Sequence, residues 1–158
     1  MGKPFALIIE DDRDIATLFR HIVDVAGYRT EIAFHGQVAI ERLDTSMPDI
    51  VILDLNLPGI TGNDILARIR KDRRFIRTKI IVVTAHSYMA DSLSIEPDLI
   101  LLKPVSLDQL TSFIKRFSDL EKSQKTIPQH IYLSHQLSEN ENRVPNSIDA
   151  NPPSSQHP

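Results

Sequence analysis

The chain contains no cysteine, and this absence removes whole classes of chemistry. Without thiols there can be no disulfide, no thiolate nucleophile and no cysteine-based zinc site. No apolar stretch approaches the roughly 20 residues that a membrane-spanning helix requires. The run that follows Met1-Gly2-Lys3-Pro4 is five residues long, too short for the core of a secretory signal. Neither sign of charge dominates: 18 Lys and Arg face 21 Asp and Glu, giving a net charge of −3. No basic stripe is laid out to track a nucleic-acid backbone. The local run Arg68, Arg70, Lys71, Arg73, Arg74, Arg77 and Lys79 reads as a solvated helix end and loop rather than a binding patch. These absences predict a soluble, cytoplasmic protein that engages neither nucleic acid nor membrane.

What is present is a chain of 158 residues with 41% apolar content, enough for one domain with length to spare. Short apolar runs alternate with segments of helical period. Phe5-Ala6-Leu7-Ile8-Ile9 is continuously apolar, the pattern of a strand covered on both faces. Ile15, Leu18, Phe19, Ile22, Val23 and Ala26 then recur at helical spacing, and Gly27 is placed to end that helix. Residues 28–33 predict a second strand and 37–43 a short helix, followed by a turn at Met47-Pro48. Ile50-Val51-Ile52-Leu53 is a third strand, Ile65, Leu66 and Ile69 mark a third helix, and 80–83 and 99–102 are the last two strands. Ser106 is placed to cap a final helix carrying Leu107, Leu110, Ile114 and Phe117 inward. Strands alternating with helices in this way predict an α/β, doubly wound parallel sheet covered on both faces, with right-handed crossovers. From about residue 120 the composition turns to Pro, Ser, Asn and Gln without a sustained period. The expected organisation is a folded domain over 1–119 and a polar, disordered tail over 120–158.

The polar residues fall at informative places. Glu10, Asp11 and Asp12 follow the first strand, Asp54 ends the third, Thr84 follows the fourth and Lys103 the fifth. All stand at the carboxyl ends of the strands, where open α/β sheets place ligands. Each residue alone has an ordinary reading: Asp12 as a helix cap, Asp54 as a strand-end carboxylate, Thr84 as a strand-end hydroxyl, Lys103 as a surface cation. Their joint placement is what carries weight. If the first and third strands are neighbours, Glu10, Asp11 and Asp54 converge, and packed carboxylates repel strongly. Oxygen ligands without Cys or His favour Mg²⁺ or Ca²⁺ over zinc. Mg²⁺ characteristically takes one or two carboxylates plus a phosphate oxygen, leaving another carboxylate as a nucleophile toward phosphorus. Thr84 and Lys103 supply the hydroxyl donor and the cation that a transferred phosphoryl group needs.

Ile8-Ile9-Glu10-Asp11-Asp12, Pro48-Asp49-Ile50-Val51-Ile52-Leu53-Asp54-Leu55-Asn56-Leu57-Pro58-Gly59, Val82-Val83-Thr84-Ala85 and Leu101-Leu102-Lys103-Pro104 resemble the signature segments of two-component response-regulator receiver domains. The resemblance covers roughly residues 4–119. It implies a flavodoxin-like five-stranded sheet in the order 2-1-3-4-5. By matching position it also implies Asp54 as phosphoacceptor from the phosphohistidine of a histidine kinase or histidine phosphotransfer protein. Asp11 would bind Mg²⁺ directly, Glu10 through water and Asn56 through its backbone carbonyl. Thr84 and Lys103 would contact the phosphoryl group, and the Lys103-Pro104 bond would be cis. Two positions depart from the family pattern. Ile100 stands where an aromatic switch residue is usual, and Asp91-Ser92-Leu93-Ser94-Ile95-Glu96-Pro97 leaves room only for a shortened fourth helix.

The expected function is therefore a phosphorylation switch that signals to a partner protein, not a turnover enzyme. The shortened fourth helix reduces the surface available for pairing, so a monomer is expected. No DNA-binding element is read after residue 120. Two other readings carry different expectations: a docking module that does not use phosphate, which loss of the acid pair, Asp54, Thr84 or Lys103 would have favoured, and a small-molecule phosphohydrolase, which needs a cap or substrate pocket.

Overall fold

The computed structural model describes residues 2–91, 93 and 95–125. The first strand, β1 (Phe5–Ile9), is buried along its whole length. It leads into α1 (Arg13–Val25), whose N-cap Asp12 accepts hydrogen bonds from the backbone N–H groups of Asp14 and Ile15. Gly27 closes that helix with a positive φ of 93°, a conformation that glycine adopts without steric cost. The chain continues through β2 (Arg29–Ala33), α2 (Gly36–Thr45), β3 (Ile50–Asp54) and α3 (Gly62–Lys71). After one 3₁₀ turn (Arg73–Phe75) come β4 (Lys79–Thr84), α4 (Ser87–Asp91), β5 (Leu99–Leu102) and α5 (Leu107–Lys125).

The five strands form one sheet in the order β2-β1-β3-β4-β5, and every neighbouring pair is parallel. Alternate side chains of the strands feed two apolar layers. Leu7, Ile9, Val51, Leu53, Ile80 and Val82 pack with Leu43 of α2 and with Ile65, Leu66 and Ile69 of α3. Ala6, Ile8, Ile50, Ile52, Ile81 and Val83 pack with Phe19 and Val23 of α1 and Leu110 and Ile114 of α5. A strand covered on both faces needs apolar residues at every position, which is why β1 and β3 read as continuous runs.

The fold is the doubly wound architecture expected, with a fourth helix only five residues long. Two expectations need correction. Leu107 does not point inward: it is 42% exposed, whereas Leu110 and Ile114 are fully buried and Phe117 is half-buried. As the first residue of α5, Leu107 lies outside the stripe that the later turns press on the sheet. The helix also continues past residue 119 to Lys125, because no glycine or proline interrupts it there. One compact unit ends at Glu121 and a second begins at Lys122. The tail from residue 126 lies outside the described residues.

Candidate phosphoryl and metal site

The parallel register assembles the site. Ile9 lies opposite Leu53, so the next residue on each strand brings Glu10 beside Asp54. Asp54 is level with Val83 of β4, and Thr84 is level with Leu102 of β5. Lys103 follows, its backbone N–H donating to the Thr84 carbonyl at 2.9 Å. The Lys103-Pro104 peptide bond is cis. Four strand ends thus meet at one edge of the sheet.

Glu10 is 1% exposed, Asp54 5% and Thr84 not at all; Asp11 lies at the surface. Lys103 Nζ donates to Glu10 Oε2 at 2.8 Å and to Asp54 Oδ2 at 2.7 Å. The remaining Asp54 oxygen, Oδ1, accepts the Asn56 backbone N–H at 2.9 Å. Glu10 Oε1 accepts the Asp12 N–H at 3.3 Å. One carboxylate oxygen from each of Glu10, Asp11 and Asp54 lies within 4.8 Å of the others. Among the described residues, one ammonium thus bridges two of these three carboxylates. Oxygen donors alone, gathered at this spacing and carrying surplus negative charge, suit a hard divalent cation.

The electrostatics follow from burial. Loss of water pushes the Glu10 carboxyl above the usual range; the hydrogen bond from Lys103 pulls it back, and repulsion from Asp54 raises it again. Burial alone would lower the Lys103 ammonium. The hydrogen bonds it donates to Asp54 and Glu10 outweigh that, holding its pKa above the ordinary lysine value.

Of the residues singled out from sequence, Glu10, Asp11, Asp54 and Lys103 come together. Thr84 sits one strand away with its Oγ1 accepting the His86 N–H at 3.2 Å, a bond that uses an oxygen lone pair and not the hydroxyl proton. Asn56 is exposed and bonded to Asp54 through its own backbone N–H. Asp12 belongs to the helix cap rather than to the carboxylate cluster. Sequence reasoning missed a groove of about 480 Å³ beside the site, lined by Ile15, Leu18, Phe19, Lys103, Pro104, Val105 and Leu107. The helical spacing assigns two of its lining residues, Leu18 and Leu107, to the buried stripes, and in the fold both are exposed.

A family profile, the response regulator receiver domain, matches residues 6–115. The chain belongs to that family. A putative transcriptional regulator of Haloferax volcanii is 32% identical over 72% of this chain and 19% of its own length. The sporulation initiation phosphotransferase F of Bacillus subtilis is 29% identical over 74% of this chain and 95% of its own. A CheY-like receiver domain from Methanospirillum hungatei superposes with a TM-score of 0.67 at 26% identity, covering 77% of this chain and 99% of that one. The chain spans about a fifth of the Haloferax protein and about half of several other curated relatives. As a receiver domain it is a component of two-component signalling. Among the described residues, no helix is long and apolar enough to cross a membrane.

Proposed function

We propose that Asp54 is the phosphoacceptor of a Mg²⁺-dependent switch, charged from the phosphohistidine of a histidine kinase or histidine phosphotransfer protein. The observation that carries this reading is the bridge of Lys103 Nζ between Glu10 and Asp54, with Asp11 alongside. It leaves an acceptor carboxylate held in place beside surplus negative charge. Asp11 and Asp54 would hold the metal directly, Glu10 through water and Asn56 by its backbone carbonyl; when bound, Mg²⁺ supplies positive charge against phosphoryl oxygens.

The chain's own residues do the rest. An Asp54 carboxylate oxygen forms the new P–O bond as the P–N bond to the donor imidazole breaks. The electron pair stays on that nitrogen, which remains neutral or takes a proton from solvent. Lys103 keeps the two buried carboxylates compatible beforehand and can turn one N–H toward a phosphoryl oxygen afterwards. Thr84 can donate its hydroxyl proton to a phosphoryl oxygen while its Oγ1 still accepts the His86 N–H. The apolar groove shares Lys103 with the site, giving the donor protein a surface beside the acceptor. The product is a conformational state that a downstream protein reads, so the domain acts in the cytoplasm as a monomeric switch rather than a turnover enzyme.

Incubation with acetyl phosphate and Mg²⁺, followed by intact mass, tests the reading. The parent protein should gain one phosphoryl group, and Asp54→Asn should gain none, because an amide does not attack phosphorus. Uptake by the Asn variant at the parental rate would assign the acceptor elsewhere. Repeated turnover of a chromogenic phosphate ester would favour a phosphohydrolase.

A further inference from the structure

The loop between β3 and α3, residues 55–61, carries Asn56 and directly follows the acceptor. Two glycines close on it from different elements. A Cβ built on Gly62, the first residue of α3, would lie 2.4 Å from the Asp54 carbonyl oxygen and 2.5 Å from Leu55 Cα. A Cβ on Gly36, the first residue of α2, would lie 2.7 Å from both the Cβ and the carbonyl oxygen of Ile60. Real side chains do not approach so closely, and three of these four neighbours are backbone atoms that cannot swing aside. Neither glycine is required for its own conformation, since neither has the positive φ seen at Gly27 and Gly59.

The contacts bracket the loop at its two ends. The Gly62 N–H donates to the Leu55 carbonyl at 3.2 Å, tying the start of α3 to the residue after the acceptor. Thr61 caps α3 by accepting the Asp64 N–H. Leu55 and Leu57 are buried, and Ile60 packs on the same apolar layer. The exposed Asn56 stands between these anchors.

We propose that Gly36 and Gly62 are positioning residues: their missing side chains let α2 and α3 hold loop 55–61 at the one depth that presents Asp54 and Asn56 correctly to metal and phosphoryl group. This rests on the reading of Asp54 as acceptor. Adding a methyl group at either glycine pushes the loop outward without touching any carboxylate. Because one ångström of misplacement can cost on the order of 10²-fold in rate, the effect belongs to site geometry before it belongs to folding.

The test uses Gly62→Ala and Gly36→Ala in the full chain. It reads helical circular dichroism, Mg²⁺ affinity by calorimetry, and the rate of phosphoryl uptake from acetyl phosphate, all well below the melting transition. Gly27→Ala is the control, since its φ of 93° makes any side chain strained but nothing lies within 4 Å of the added carbon. Both loop variants should remain folded, bind Mg²⁺ about 10-fold more weakly and take up phosphate roughly 10- to 100-fold more slowly. Gly27→Ala should lower the melting temperature and leave both readouts at parental values. Ile60→Gly added to Gly36→Ala removes one of the two collisions and should recover part of the Mg²⁺ affinity, although a second glycine can only loosen the fold. Folded variants with parental Mg²⁺ affinity and rate would overturn the proposal. So would two variants that fail to fold, which would assign the glycines to the fold itself. A parent protein that takes up no phosphate would instead sink the acceptor reading, leaving Mg²⁺ affinity to judge the glycines.

Discussion

Two charged clusters sit at opposite ends of β5, and their charges are balanced in opposite ways. Beyond its carboxyl end, one cation, Lys103, serves both Glu10 and Asp54, each of which also accepts one backbone N–H, with Asp11 close by. Before its amino end, one carboxylate, Asp98, serves two cations: it accepts from Arg70, from Lys79 Nζ at 3.0 Å and from the Ile80 backbone N–H at 2.9 Å. Burial raises both acids. At Glu10 it prevails, and the carboxyl titrates above its usual range. At Asp98 the donors prevail, and the carboxyl titrates below its usual range. A carboxylate surrounded by donors is a finished structural tie, here linking α3, β4 and the start of β5. A set of carboxylates short of cations awaits a positive ligand, and that shortage marks the working end of the sheet.

The largest effect should come from filling the shortage. Mg²⁺ at about 100 times its Kd should stabilise the domain by roughly 2.7 kcal/mol if only the native state binds it. Asp11→Ala should remove most of that gain, because it takes a ligand from the cluster without disturbing the Lys103 bridge. Melting curves with and without millimolar Mg²⁺ read this directly. A parent transition indifferent to Mg²⁺ would make the two clusters alike and break the contrast.

The satisfied end should behave in the opposite sense. Asp98→Asn should cost about 1–2 kcal/mol, because it weakens two ion pairs and a hydrogen bond that are only partly screened. It should leave phosphoryl uptake and the Mg²⁺ response unchanged. The depressed pKa of Asp98 makes its contribution complete above its ordinary value of 3.8, and it is lost as pH falls through the lower folded value. Glu10 has the reverse sign: its raised pKa favours the fold below its ordinary value of 4.5, and that contribution disappears as pH rises through the folded value. In urea titrations without metal, Asp98→Asn should therefore flatten the acid-side fall in stability, whereas Glu10→Gln should steepen it. Identical slopes in the two variants would contradict the opposite balance of the clusters.

The centre of the sheet was legible because β1, β3 and β4 are covered on both faces: runs such as Phe5–Ile9 have no polar position to confuse them. The placement of Glu10, Asp11, Asp54, Thr84 and Lys103 at strand ends was equally visible, since it depends only on where each run stops. What stayed hidden was long-range geometry. Nothing in the sequence says that Lys103 reaches carboxylates 93 and 49 residues away, or that it bonds both. The basic run from Arg68 to Lys79 looked merely solvated, yet Arg68 pairs with Asp44, Arg74 with Asp72, and Arg70 and Lys79 with Asp98. Leu107 was misread because the first residue of a helix can share the spacing of the buried stripe while lying beyond the surface it covers. Gly36 and Gly62 gave no signal either, because a close approach between elements leaves no local pattern.

The smallest expected effect concerns the face between the two clusters. The β5 strand pairs with β4 alone and is four residues long, and short edge strands offer little backbone for pairing with another chain. Ile100 and Leu102 are 38% and 51% exposed, on a face that a five-residue α4 gives little area to extend. A standard interface buries about 800 Å² per partner. A phosphoryl group must also favour one state by about 5.5 kcal/mol to carry a switch from 1:99 to 99:1. With Ile100 in place of a large ring and so little rearrangeable surface beside it, we expect that difference to be met by docking to another protein rather than by self-association. Sedimentation of the protein with and without the phosphoryl mimic beryllofluoride should show a monomer in both cases. A clear shift to dimer would mean that the charge imbalance at Lys103 is transmitted along β5 to its exposed face, and the two ends of the strand would then have to be treated as one coupled unit.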